Sequence, residues 1–493
     1  MAVAAALLLI SLSAWIFASP VGSSPDDDFH LASIWCAEGD RSFACEAGDS
    51  SASRTVPNAV ANGQLCYARD PDISAACQTH LLDGSSVPNT VTERGSFLNN
   101  YPPVFYAVMG LLVTPNVAVS VILMRLLTAL IFCAIAVGLF VALPRHRRAP
   151  LIWGWALTVV PLGMFLIASN NPSSWAIIGL GSGWISLLGY LESRGRRKAV
   201  LGGILALSVV MASGARADAA VYSVIAMGIV VLLTFRRERA YLIQLLLPAA
   251  LAIVAFLFFI TSQQSTVVSV GLRGDTGISG GAAPTAAHGL LSLVAYNLLN
   301  LPSLWSGVFG GWGLGWLDTA MPAIVTAAGI IAFLVATAVG VGREWMRKII
   351  AVCVLILAIW LIPVYVLVQG GQHVGDTVQP RYVLPLMVVL AGVAMLTDVG
   401  RGIRWGRFQL IVIGLALALS NAIALQTNIR RYVTGVDEQG WNLDAGREWW
   451  WHVPFTPMFD WIVGSLAFAL LMFVLGRAAL RASREGAESL ETV

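Results

Sequence analysis

Three consecutive carboxylates stand in Pro25-Asp26-Asp27-Asp28-Phe29-His30, and three adjacent acids cannot all ionise cheaply. At least one is expected to keep its proton to a higher pH than an isolated carboxyl, which suits a general base acting near neutrality. The same residues also fit the start of a helix near His30, because aspartate is a favoured N-cap and complements the positive helix end. Both roles stand open on the residues alone. A divalent cation would find oxygen ligands among Asp26, Asp27 and Asp28, although base chemistry requires no cofactor.

Three arginines form a second set: Arg125 inside an apolar run, Arg216 in Gly-Ala-Arg-Ala-Asp, and Arg381 in Gln379-Pro380-Arg381-Tyr382. Ionised groups at membrane depth are functional candidates, and a guanidinium fork matches phosphate geometry. Each could equally serve as an ordinary counter-ion, with Asp218 close to Arg216. Arg430 and Arg431 carry a weaker form of the same signal. Asn99-Asn100-Tyr101-Pro102-Pro103-Val104-Phe105-Tyr106 reads either as a helix-entry turn at the membrane surface or as part of a site. Trp449-Trp450-Trp451-His452 reads first as an interfacial anchor; a sugar-stacking surface is the sharper alternative. The Gly-rich stretches 271–282 and 310–315 are expected to be loops. No Walker-type loop, His-Glu-x-x-His or Gly-x-Ser-x-Gly motif occurs, so nucleotide hydrolysis and zinc or serine peptidase chemistry lack support.

What must position these residues is a membrane bundle. The chain of 493 residues is 57% hydrophobic and 12% charged, about half the usual charged fraction, so lipid has to be part of its solvent. The net charge of +3 says little about partners, and the scarcity of lysine (only Lys198 and Lys348) points to a GC-rich bacterial source. A spanning helix needs roughly 17–25 apolar residues. Such stretches lie near 2–19, 117–142, 151–168, 175–191, 200–213, 219–235, 241–260, 321–341, 349–368, 382–397, 408–427 and 458–476. The expected fold is an all-α polytopic membrane protein with about twelve spans, and the short segment 102–115 is an interfacial or re-entrant helix. The first run resembles a signal peptide in length but has no basic n-region, and is expected to be retained.

Orientation follows from the basic residues. The segments around 143–150, 192–199, 236–240, 342–348, 398–407 and 477–493 hold 19 of the 30 basic residues. These segments are therefore expected to be cytoplasmic, with both termini inside a bacterial plasma membrane. The chain divides into a first transmembrane helix at 1–19, an extracytoplasmic loop at 20–101, a membrane domain at 102–476 with outer loops at 261–320 and 428–457, and a tail at 477–493. The loop at 20–101 has 11 acidic residues against four arginines, and holds Cys36, Cys45, Cys66 and Cys77. Four cysteines in one exported loop predict two disulfides, with proximity favouring Cys36–Cys45 and Cys66–Cys77 among three connectivities; no Cys-x-x-Cys spacing supports zinc. Cys133 and Cys353 lie in spans and are expected to be core residues.

In order along the chain, these motifs resemble the GT-C superfamily of polyprenyl-phosphate-sugar-dependent glycosyltransferases, and more narrowly a bacterial family of predicted membrane proteins of unknown function grouped with it. That family's hallmarks are Pro-Asp-Glu-x-x-His, Tyr-x-Pro-x-x-Tyr, Asn-Pro-Asp, Gly-Trp-Leu-Asp and Gln-Gly-Arg-Tyr-x-x-Pro. Here Pro25-Asp26-Asp27 with His30 stands for the first, and Tyr101-Pro102-Pro103-Val104-Phe105-Tyr106 for the second. Asn171-Pro172-Ser173 lacks the carboxylate of the third. Gly315-Trp316-Leu317-Asp318 matches the fourth, and Gln379-Pro380-Arg381-Tyr382-Val383-Leu384-Pro385 the last with Pro for Gly.

The resemblance implies a GT-C-like bundle and an inverting transfer from a polyprenyl-phosphate-sugar donor to an envelope glycan or lipid acceptor on the outer face. Asp27 is then the expected base, with Asp26 or Asp28 orienting it, and Arg216 and Arg381 on the phosphate. His30, Tyr101, Tyr106, Arg125, Trp316, Asp318 and Tyr382 complete the expected substrate site. A lipid or polysaccharide transporter would instead show repeat symmetry and mid-membrane charges; the acidic residues here cluster at the outer mouth. A non-catalytic scaffold whose cysteine loop binds a partner would tolerate loss of the whole Asp26–Asp28 cluster.

Overall fold

The computed structural model describes residues 1–83, 88–267, 289–341, 346–397, 403 and 405–491, with side chains to 483. The expected loop at 271–282 and the basic residues Arg343, Arg401 and Arg404 lie outside the described residues. Nine described helices are long and apolar enough to cross a membrane: Val117–Ala142, Ser173–Glu192, Gly195–Ala215, Ala217–Thr234, Arg239–Thr261, Ala323–Val341, Met346–Gln369, Arg407–Val433 and Pro457–Ser483. Two shorter apolar helices, Ala2–Phe17 and Pro380–Ala394, join them. The span expected at 151–168 is not one helix. It is two short pieces, Arg148–Ala156 and Leu162–Ile167. Pro161 explains the break, because it offers no amide hydrogen and its ring collides with the preceding turn.

Burial grades across the bundle as lipid exposure requires. The Ser173–Glu192 helix runs through the interior, with 89% of its apolar window buried, while that of Arg239–Thr261 is only 17% buried. The inner helix is rich in glycine and serine, so neighbours approach its backbone closely. A Cβ on Gly179 would meet the Ser208 carbonyl oxygen at 2.4 Å, so alanine has no room there. The outer helix turns Ile253, Phe256 and Leu257 outward, the surface that hydrocarbon solvates. Cys133 is buried as expected, but Cys353 is exposed on its helix. An apolar span can show any residue to lipid without penalty, which corrects its expected core position.

At one pole lies the cysteine loop. Cys36 is bonded to Cys45 and Cys66 to Cys77, the pairing that proximity favoured. The strands Glu46–Ala47, Arg54–Val56 and Thr90–Thr92 form a small antiparallel sheet in that order. Its last strand delivers the chain back towards the bundle two residues before Arg94. The segment after Pro102-Pro103 forms the short helix Val104–Gly110, as its prolines and length predict.

Candidate functional site

The helix Asp27–Trp35 begins directly after a turn in which Asp26 adopts φ +61°. A left-handed conformation is uncommon for a residue with a side chain, although aspartate tolerates it better than most. Two side chains fix this turn through the Pro25 carbonyl, which accepts from Asn171 Nδ2 at 2.8 Å and from an Arg381 N–H at 3.0 Å. Asp26 makes no side-chain cap bond to its own helix. Its carboxylate instead lies 2.5 Å from the second Arg381 nitrogen and 3.9 Å from Arg94. The three adjacent acids therefore have three different fates.

Asp27 is fully buried. Its two carboxylate oxygens accept from the backbone N–H and the hydroxyl of Ser24. Burial pushes its pKa up to about 6, against the opposing pull of Ser24 and Arg125. Asp28 is ion-paired to Arg94. Asp26 is the most open of the three, with 39% of its side chain exposed. Its partial burial raises its pKa, but the charge and hydrogen bond of Arg381, with the Arg94 charge, outweigh this and hold it below the usual carboxylate range. The expected assignment of the base to Asp27 thus meets a geometric obstacle: a carboxyl with no exposed surface has no path to an acceptor hydroxyl. Position along the helix start, not residue type, made the difference.

The raised pKa of Asp27 has a consequence for stability. A proton binds it more tightly in the folded protein than at its ordinary value of 3.8. Its contribution is therefore full below pH 3.8 and is lost as pH rises through about 6. Asp27→Asn removes this titration. The melting temperature of the natural protein relative to the variant is expected to rise as pH falls from 7 to 4; a difference that stays flat across that window would place Asp27 in a polar, hydrated environment instead.

Around Asp26 the other predicted residues gather on the same pole. Arg216 makes a two-point ion pair with Asp218 at 2.9 and 3.1 Å, and its guanidinium lies 4.6 Å from the Tyr382 ring centroid and 5.8 Å from that of Tyr101. Arg381 also faces the Tyr382 ring, at 5.2 Å, and donates to the Tyr382 hydroxyl at 3.2 Å. His30 shares a hydrogen bond of 2.9 Å with the Tyr106 hydroxyl and stands edge-on to Tyr101. Burial, helped by the Arg381 and Arg216 charges and opposed by Asp26, pushes the His30 pKa down to about 3, so the ring is neutral. Its Nε2 has no hydrogen-bond partner among the described residues. Asn171 reaches the Pro25 carbonyl and Ser173 faces Arg216 at 3.5 Å, so the motif lacking its carboxylate still touches the site.

Other expected members do different work. Arg125 is fully buried and donates to the carbonyls of Ile16, Ser19 and Pro20 and to Asn170. It caps the end of the first helix from a position with no exposed surface, out of reach of a substrate, which corrects its expected role. The turn at Gly315-Trp316-Leu317-Asp318 requires glycine at its first position: Gly315 has φ +61°, and a Cβ there would meet the Tyr432 hydroxyl at 2.5 Å. Trp316 donates to the Gly22 carbonyl at 2.9 Å. Asp318 accepts from Arg431 at 2.9 Å and from the Arg69 backbone at 3.0 Å. Both residues fasten the cysteine loop to the bundle and are not free to bind substrate. Trp450 and Trp451 are buried, with the Trp451 indole donating to the Phe17 carbonyl, so they offer neither a membrane anchor nor a stacking surface.

Arg94 is the member that sequence reasoning missed. Its one signal was its rarity, as one of four arginines in an acidic loop. The assembled cluster holds guanidinium groups of Arg94, Arg216 and Arg381 against the carboxylates of Asp26, Asp28 and Asp218. Among the described residues no group of three or more His, Cys, Asp or Glu side chains converges as metal ligands do. Between Pro25, Gly315, Gln379 and Arg381 lies a cavity of only about 20 Å³, room for a single water. Such an arrangement can bind an anion by exchanging a carboxylate for it at Arg381, and the displaced carboxylate then becomes a stronger base.

No curated protein matches the chain. Residues 9–390 match a family model described as "Predicted membrane protein (DUF2142)". With the match running from inside the first helix to inside the Pro380–Ala394 helix, and so over every residue of the cluster, the chain belongs to this family of predicted membrane proteins.

Proposed function

We propose that the protein is a membrane glycosyltransferase that moves a sugar from a polyprenyl-phosphate donor to an envelope glycan or lipid acceptor on the extracytoplasmic face, with inversion. The supporting observation is the Asp26–Arg381 pair: a partly exposed carboxylate 2.5 Å from a guanidinium that is itself buried. A donor phosphate that takes Arg381, with Arg216 beside it, releases Asp26 from its counter-ion and raises its basicity. The acceptor O–H then gives its proton to Asp26 and its oxygen bonds to the anomeric carbon. The bond from that carbon to the phosphate oxygen breaks, with its electron pair leaving on the phosphate.

The chemistry divides between one base and a charge clamp. General base help contributes about 10²–10⁴-fold, and donors aimed at the leaving phosphate contribute a comparable factor. The reaction as proposed needs no metal, since guanidinium groups meet the phosphate charge. Purified protein in lipid nanodiscs, given a polyprenyl-phosphate sugar and a glycan acceptor, is expected to form a glycosidic product with release of polyprenyl phosphate. Movement of intact donor across a vesicle membrane without covalent change would replace this proposal with a transporter.

A further inference from the structure

The opposite pole carries a larger and differently built cavity. It measures about 760 Å³ and is lined by the ends of seven apolar helices, including His146, Arg147, Glu192, Arg194, Lys198, Arg236 and Arg347. Its charges are unbalanced. Arg147 and His146 both face Glu192, at 2.6 and 3.4 Å, which accounts for the one carboxylate deep in the site. Among the described residues none of Arg194, Lys198, Arg236 and Arg347 makes an ion pair; Lys198 lies over the Tyr190 ring and Arg347 donates to the Phe235 carbonyl. Glu238 is the one further acidic residue in the lining.

The cavity is not purely polar. Leu188, Leu191, Leu233 and Tyr241 also line it. Beside it the Arg239–Gln244 helix turns Leu242 and Ile243 outward, 52% and 58% exposed, with Leu246 next at 68%. Gln244 Oε1 is buried with no hydrogen-bond partner among the described residues, and Gln244 lines the cavity. A ligand fitting this surface has a phosphate for the four cations, a hydroxyl for the amide oxygen, and apolar chains for the leucine-rich flank. Helix ends that carry most of the basic residues lie at headgroup level on the cytoplasmic side by the positive-inside rule.

We propose that this cavity binds the headgroup of an anionic phospholipid of the inner leaflet, with its acyl chains along the Arg239–Thr261 helix. Its lining shares no residue with the Asp26 cluster, so it stands or falls apart from the transfer reaction. A soluble phosphate would satisfy the cations but not the apolar flank.

Delipidated protein in neutral detergent, titrated with phosphatidylglycerol, phosphatidylcholine or inorganic phosphate, separates these cases by thermal shift and by lipids retained in native mass spectrometry. Phosphatidylglycerol alone is expected to raise the melting temperature. Joint replacement Lys198→Gln and Arg236→Gln is expected to weaken its binding about 30-fold, since each basic side chain near an anionic headgroup contributes about fivefold. The control Arg477→Gln with Arg481→Gln, outside the cavity, should retain binding. Equal effects of the two lipids, an equal shift with inorganic phosphate, or equal loss in the control pair would each overturn the proposal.

Discussion

Asp26→Asn is expected to lower the rate of sugar transfer by about 10²–10⁴-fold, the range a positioned general base supplies. The substitution keeps the shape of the side chain and an oxygen for the Arg381 hydrogen bond, now 2.5 Å long, while removing the proton acceptor. Donor affinity should hold or improve, because Arg381 loses the anion that competes with the phosphate. The loss should therefore appear in kcat and not in KM. Asp27→Asn provides the contrast. Asp27 is buried behind Asp26 and bonded to Ser24, so its variant is expected to retain most of the rate. If instead Asp27→Asn abolishes transfer while Asp26→Asn leaves it intact, the base is the buried carboxyl and the loop must open during turnover.

Asp318→Ala is expected to destabilise the protein by about 3–5 kcal/mol, the scale on which removing one partner of a buried ion pair is felt. Arg431 is fully buried and donates to the carbonyls of Ile73 and Tyr67 as well as to Asp318. Those carbonyls belong to the cysteine loop. Without the carboxylate, a guanidinium remains in a dry site with only neutral acceptors. The loop would loosen from the Arg407–Val433 helix, and thermal unfolding in detergent should shift down by several degrees or more. Asp318→Asn keeps one acceptor and should lose less. Replacing both residues together, Asp318→Leu with Arg431→Met, should recover much of the loss, because the charge itself is gone. A double variant as unstable as Asp318→Ala would mean that the backbone bonds of Arg431, and not its charge, hold the loop.

Legibility differed sharply among the residues of the site. Tyr101, Tyr106, Arg216, Arg381 and Tyr382 could be picked from the sequence because each breaks a local rule: a charge beside an apolar run, or aromatics at a proline-started helix. All of them meet around Asp26. Arg125, Trp316 and Asp318 broke the same rules for another reason. Charged and polar groups that fasten loops inside a membrane protein are as rare in composition as those that touch a ligand. Only their partners tell the two apart: three carbonyls for Arg125, one for Trp316, Arg431 for Asp318.

The sequence by itself determined the solvent of this protein, its apolar helices and the segregation of its basic residues to one pole, because hydropathy and charge are sums over neighbours along the chain. It also anticipated the two disulfides, whose cysteines are close in order. Tertiary structure decided which of three adjacent aspartates faces outward, since a single left-handed residue at Asp26 sends neighbouring carboxylates in different directions. It decided too that Arg94, delivered by the small sheet, and Arg381, more than 350 residues from Asp26 in sequence, meet at one point. Long-range pairing of that kind depends on how helices pack, and a linear pattern of residue types carries no record of it.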